Sequence, residues 1–82
     1  MQQPFPMSAL ACGQNAVIRS ISGNGAMYER LCDLGFTSGC PVRCLFASVF
    51  GDPKAYLIRH TVIALRQKDA DMISCISAGG EA

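Results

Sequence analysis

Apolar residues recur at a helical period in one stretch of this chain. Between about Ala26 and Leu34, Met27, Leu31 and Leu34 stand at i, i+4 and i+7, which lays a single stripe against a core. Tyr28, Glu29, Arg30 and Asp33 take the flanks and the solvent side. Asn24 is placed to cap the start. Gly35 follows the last apolar position, where a left-handed residue lets the final carbonyls find donors. Phe36 is then expected to fold back on Leu31, the apolar contact that accompanies such a stop.

Elsewhere the pattern alternates or runs at strand length. Gln14 to Ser22 sets Ala16, Ile18 and Ser20 against Val17, Arg19 and Ile21, which predicts a strand ended by "GNG". Val42 to Val49 predicts a long strand, entered through "SGCP" and broken by "FGDPK". Ala55 to Arg59 and Val62 to Arg66 predict a hairpin around His60-Thr61. "QKDAD" reads as one helical turn, and Met72 to Ile76 as a last strand. Near the N-terminus, Ser8 caps a single turn through Cys12, with Met7 and Leu10 inward and Gly13 ending it. Residues 1–6 and 78–82 read as flexible tails around one domain over 7–77. Short strands at close spacing, with no strand–helix–strand alternation, predict a mainly β domain with one inserted α-helix and short helical turns.

Composition narrows the function classes. The 82 residues suffice for one domain, half of them are apolar, and the formal net charge is +1. That balance excludes a disordered or strongly basic polypeptide, and the basic residues are scattered, so no nucleic-acid partner is expected. Trp is absent and aromatics make up 7% of the chain, so Val, Ile, Leu and Met are expected to build the core. No run approaches the roughly 20 apolar residues that span a bilayer, so direct membrane insertion is not expected. "MQQPFPMSALACG" lacks the basic flank and apolar run of a signal peptide, which makes the cytoplasm the expected compartment.

Five cysteines raise the question of a metal or redox centre, and three of them lie within "RLCDLGFTSGCPVRC". A structural zinc site needs four Cys or His ligands in close pairs. Cys40 and Cys44 are four apart on an expected strand, Cys32 lies on the helix, and Cys12 and Cys75 are remote in sequence. Apolar filling is the expected role, since free cysteine is among the most buried residue types. His60, the sole histidine, is expected in the hairpin turn. The serines lack a nucleophile-elbow setting, and "GNG" lacks the lysine of a phosphate loop. No catalytic residue and no cofactor are expected.

Taken together, "LCDLGFTSGCPV", "FGDP" and "IALRQKDADMI" resemble the FeoA family of bacterial ferrous iron uptake. The likeness runs through Arg30, Leu31, Leu34, Gly35 and Phe36, then Gly39 and Val42, then Gly51, Asp52 and Pro53. It continues through Ala64, Leu65 and Arg66 to Ala70 and Ile73, and covers about Met7 to Ile76. The resemblance implies a small SH3-like β-barrel, no enzymatic activity, and a partner: the cytosolic, GTPase-bearing region of a FeoB-type transporter. Leu31, Leu34, Gly35, Phe36, Gly39, Gly51 and Leu65 are its structural motif. Asp52, Pro53, Lys54 and Arg66, in the motif and expected at the surface, are the candidate partner-binding residues. Cys32, Cys44 and Cys75 stand where the family holds aliphatic residues; Cys40 stands at a small polar position and is expected to be exposed. Val49 replaces a frequent proline and His60 a frequent turn glycine. A second reading is a stand-alone regulatory domain like the C-terminal domain of DtxR-type metalloregulators. A third, a small carrier binding a transition metal ion, needs Cys40, Cys44 and His60 to converge.

Overall fold

Each strand among the described residues pairs antiparallel with its neighbours, in a sheet of order β1-β6-β2-β3-β4-β5. In the computed structural model, which describes residues 3–78, the strands are β1 (Phe5–Pro6), β2 (Asn15–Ile21), β3 (Pro41–Ala47), β4 (Lys54–Ile58), β5 (Thr61–Leu65) and β6 (Ile73–Ser77). Two helices interrupt them, α1 (Gly25–Leu34) and the one-turn α2 (Gln67–Ala70). A single 3₁₀ turn occupies Met7–Ala9. The sheet is SH3-like but open, with β1 and β5 at its edges. Register shifts at Ile18/Ser20 in β2 and Cys44/Phe46 in β3 mark bulges, which bend the strands and raise their twist.

The helix stop follows from the sequence as expected. Gly35 adopts φ 110°, ψ 4°, and its N–H donates to the Cys32 carbonyl at 3.1 Å. The Phe36 N–H reaches back to the Leu31 carbonyl at 3.0 Å, and both side chains are fully buried. These two bonds form a Schellman closure with its apolar contact. Asn24 occupies the cap position without a side-chain capping bond.

Strand boundaries shift by one or two residues from those expected. β3 ends at Ala47 rather than Val49, because the Gly51 N–H donates to the Ser48 carbonyl at 2.8 Å and closes a turn over Val49 and Phe50. The hairpin turns at Arg59-His60, one residue earlier than His60-Thr61, with Ile58 opposite Thr61. Both turn residues are left-handed, at φ 48° and 65°. A two-residue turn of this hand matches the strand twist and fixes the register. The N-terminal turn begins at Met7 behind Pro6, so Ser8 lies inside it and does not cap it. Phe5 and Pro6, assigned to a tail, pair with Cys75 and Ser74 of β6. Gln3, Pro4 and Ala78 are coil, and tail residues 1–2 and 79–82 lie outside the described range.

Alternation sorts the inner face. Ala16 and Ile18 of β2, Val42 and Cys44 of β3, Tyr56 and Ile58 of β4, and Ile73 and Cys75 of β6 are all buried. Met7, Leu10, Leu31 and Phe36 join them in one cluster. The expected aliphatic core is thus modified: Tyr56 and Phe36 are the largest fully buried side chains. Cys40 is also buried, against expectation. Its carbonyl accepts the Ile18 N–H at 2.9 Å and its own N–H donates to Thr37 at 3.1 Å, which pulls it under the sheet.

Candidate functional site

The segment from Ser48 to Lys54 joins three parts of the fold. Asp52 Oδ1 accepts the Gln67 N–H at 2.8 Å, so a loop carboxylate caps α2 from outside its own segment. Lys54 Nζ donates to the Ser8 and Leu10 carbonyls, each at 2.8 Å, fastening β4 to the N-terminal turn. Ser8 Oγ in turn donates to the Asp71 carboxylate beyond α2. Asp52 and Lys54, expected to be surface residues with slight structural duties, are half-buried ties. Pro53 is half-buried, in a cleft of about 220 Å³ where Met27 and Leu34 of α1 face Ala64 of β5. Arg66 is exposed at the start of α2. Of the four candidate binding residues, Arg66 alone is exposed.

Tyr56 lies behind these ties, in a cavity of about 120 Å³ lined also by Ser8, Asp52, Lys54 and Gln67. Burial raises its hydroxyl pKa far above the ordinary range. The neighbouring Cys44 and Cys75 thiols and the Asp52 and Asp71 carboxylates push the same way. The hydroxyl therefore stays protonated and neutral.

The cysteines do not form a centre. Burial pushes the Cys75 thiol up to about 11. Burial, then the charge and hydrogen bond of Cys12, raise Cys44, with Lys54 pulling the opposite way. Thiols held protonated are poor metal ligands and poor nucleophiles at neutral pH. Cys40 and His60 line one groove of about 620 Å³, with Asn15, Pro41, Arg43 and Arg59, and Cys44 is not among its lining residues. The three candidate metal ligands are therefore not brought together. Among the described residues, no three of His, Cys, Asp and Glu are placed to hold a metal ion.

The surface feature that sequence reasoning missed is apolar. Val49 is 96% exposed and Phe50 93% exposed, and Phe46 at the foot of the same loop is 59% exposed. The pattern puts Val49 at the end of the strand from Val42 and Phe50 at the head of the "FGDPK" break, and foretells the exposure of neither. The available signal was Gly51-Asp52-Pro53 directly behind them, since turn residues draw the preceding positions out of a ladder.

A family model for the FeoA domain matches residues 5–76. The chain belongs to the FeoA family. A Fe(2+) transport protein A/Fe(2+) transporter FeoB fusion protein of Porphyromonas gingivalis is 31% identical over 67 residues, covering 82% of the chain and 8% of that protein. The chain thus corresponds to a small part of that relative's length. The FeoA protein of Chlorobium tepidum superposes with a TM-score of 0.86 at 26% identity, covering 95% of this chain and 74% of that one. FeoA of Stenotrophomonas maltophilia, solved with zinc and described as a procaryotic SH3 domain protein, superposes at 0.78 with 31% identity, covering 87% and 88%. A manganese-dependent transcriptional repressor shares the fold alone, at TM-score 0.82 and 18% identity over 94% of this chain and 43% of that one.

Within this FeoA fold, the motif residues serve the architecture. Leu31, Gly35 and Phe36 close α1, and Leu34 packs against the core from its last turn. The Gly39 N–H donates to the Ile18 carbonyl at 2.7 Å, and Leu65, nearly buried, pairs with Lys54 across the hairpin. Gly51 closes the turn that presents Val49 and Phe50.

Proposed function

We propose that the chain is an accessory protein of ferrous iron uptake, working on the cytoplasmic side by contact with a FeoB-type transporter and its GTPase region. The observation that carries this reading is the Porphyromonas gingivalis relative, in which a matching segment and the transporter form one polypeptide. Covalent linkage holds two modules at high effective concentration, which is useful where they act together and each contact is weak. A binding role also fits the chemistry on the surface. Ser8 is committed to Asp71, the Cys44 and Cys75 thiols are held protonated, and the sole imidazole stands in the β4–β5 turn. No helix among the described residues is long and apolar enough to cross a membrane.

The regulatory reading rests on the repressor likeness, which is a likeness of fold. The two readings separate in one experiment. Tagged protein expressed in its source organism is expected to co-purify the transporter, and deletion of its gene is expected to lower ferrous iron uptake. Capture of a transcriptional regulator instead, with uptake unchanged by deletion, would favour the regulatory domain.

A further inference from the structure

We propose that Val49 and Phe50, at the tip of the β3–β4 loop, are the anchor by which the chain docks, entering an apolar pocket on the cytosolic part of the transporter. This rests on the transporter reading above and names the contact residues for it. A solvated valine and phenylalanine side by side, at 96% and 93% exposure, gain nothing from the fold that displays them. Single exposed apolar residues are ordinary, but an adjacent pair with Phe46 at its foot is a patch.

The loop holds that pair out by design of its backbone. The Gly51 N–H donates to the Ser48 carbonyl at 2.8 Å, which places Val49 and Phe50 at the two central positions of a β-turn. The Ser48 N–H donates to the Pro53 carbonyl at 3.0 Å, and Ser48 Oγ to the Asp52 carbonyl at 2.7 Å. Behind the turn, Asp52 is fixed on α2 and Lys54 on the N-terminal turn. An anchor braced in this way loses little conformational freedom on binding. A buried aromatic at the centre of a small contact is the kind of residue that dominates its affinity.

Charge distinguishes a protein pocket from a lipid surface. A loop that binds anionic membranes joins its apolar tip to a surplus of Lys and Arg. Here the Lys54 ammonium is turned inward onto two carbonyls. In the adjacent cleft, Arg66 and Lys68 are matched by Asp52 and Asp71. The tip is apolar and the cleft beside Asp52 carries no surplus of cations, which fits a desolvated pocket on a protein.

The test measures binding of the full chain to the intact transporter in nanodiscs, for the wild type, for the double variant Val49→Ser/Phe50→Ser, and for Val62→Ser as a control. Val62 is exposed on β5 and pairs with Leu57, toward the Arg59-His60 turn, whereas Lys54 at the loop end pairs with Leu65. Melting curves of all three should superpose closely. The double variant is expected to bind at least about tenfold more weakly, and Val62→Ser like the wild type. Wild-type affinity in the double variant would overturn the anchor and leave the transporter reading standing. No binding by the wild type would remove that reading and this occupant with it. Equal binding of the wild type to protein-free vesicles of phosphatidylserine and phosphatidylcholine, lost in the double variant, would reassign the tip to the membrane.

Discussion

At the scale of single residues, Gly35 carries the sharpest constraint. Its φ of 110° is one that side chains rarely adopt, and a Cβ built there would lie 2.7 Å from Arg59 Cδ. Arg59 is itself committed, donating through Nε to the Gly35 carbonyl at 3.4 Å and through its terminal nitrogen to Thr37 Oγ1 at 3.3 Å. Gly35→Val is therefore expected to cost more than about 1 kcal/mol, measured as a lower denaturation midpoint at unchanged slope. Cys75 offers a different test. Its thiol titrates near 9.0 when unperturbed and is pushed up to about 11 by burial. Between those values the folded state binds more protons than the unfolded one, so stability falls as pH rises. The expected loss is about 1 kcal/mol per pH unit from this group, full stability being kept below about pH 8.5. Equilibrium unfolding of the wild type and Cys75→Val across pH 8 to 11 checks it: the variant's slope should be shallower.

At the scale of elements, the β3–β4 loop, α2 and the N-terminal turn behave as one unit. Asp52 satisfies a donor at the start of α2 that no residue of its own segment caps. Lys54 satisfies two carbonyls of the N-terminal segment. Asp52→Ala and Lys54→Ala are each expected to cost about 1 kcal/mol, by loss of a cap and of charge-assisted bonds. For a domain of this size that amounts to a fall in melting temperature of roughly 4–8 °C per variant. Scanning calorimetry reads it directly, and superposed melts would show that the ties are dispensable. The β4–β5 turn makes the opposite test. Two non-glycine residues at positive φ are held there by pairing on either side. Arg59→Asn with His60→Gly suits the turn type but removes the Arg59 bonds to Gly35 and Thr37. His60→Gly alone keeps those bonds and is expected to stabilise by up to about 1 kcal/mol, read from the denaturation midpoint.

At the scale of the whole molecule, near-neutral charge and small size set the style of binding. With a formal net charge of +1, long-range steering is weak, so moderate salt should change affinity for the proposed transporter partner less than about threefold. A steep salt dependence in the same nanodisc assay would point to charged contacts, such as the Arg43, Arg59 and His60 edge of the large groove. A domain this small offers a contact of limited area, and transient interfaces often bury below about 1,200 Å². One or two anchors then matter more than the remaining perimeter.

The amino-acid sequence by itself determined what is local. The i, i+4, i+7 stripe made α1, and Gly35 followed by Phe36 ended it, because a left-handed residue and a returning hydrophobe act within one turn. Alternation put Ala16 and Ile18 on one face of β2, the face that burial then made inward, and the order of motifs identified the family. Only the tertiary structure decided which polar and apolar surface residues were free. Asp52 and Lys54 are polar loop residues by pattern, yet their partners lie 15 and 44 to 46 positions away, at distances that no periodicity reports. Cys40 looked exposed until its backbone bonds to Ile18 and Thr37 drew it inward. Val49 reads as a strand end and Phe50 as the start of a break, and the turn bond from Gly51 to Ser48 is what leaves both in solvent. Strand ladders, helix caps and burial across a folded sheet are long-range pairings, and the chain specifies them through closure of the whole rather than through any one segment.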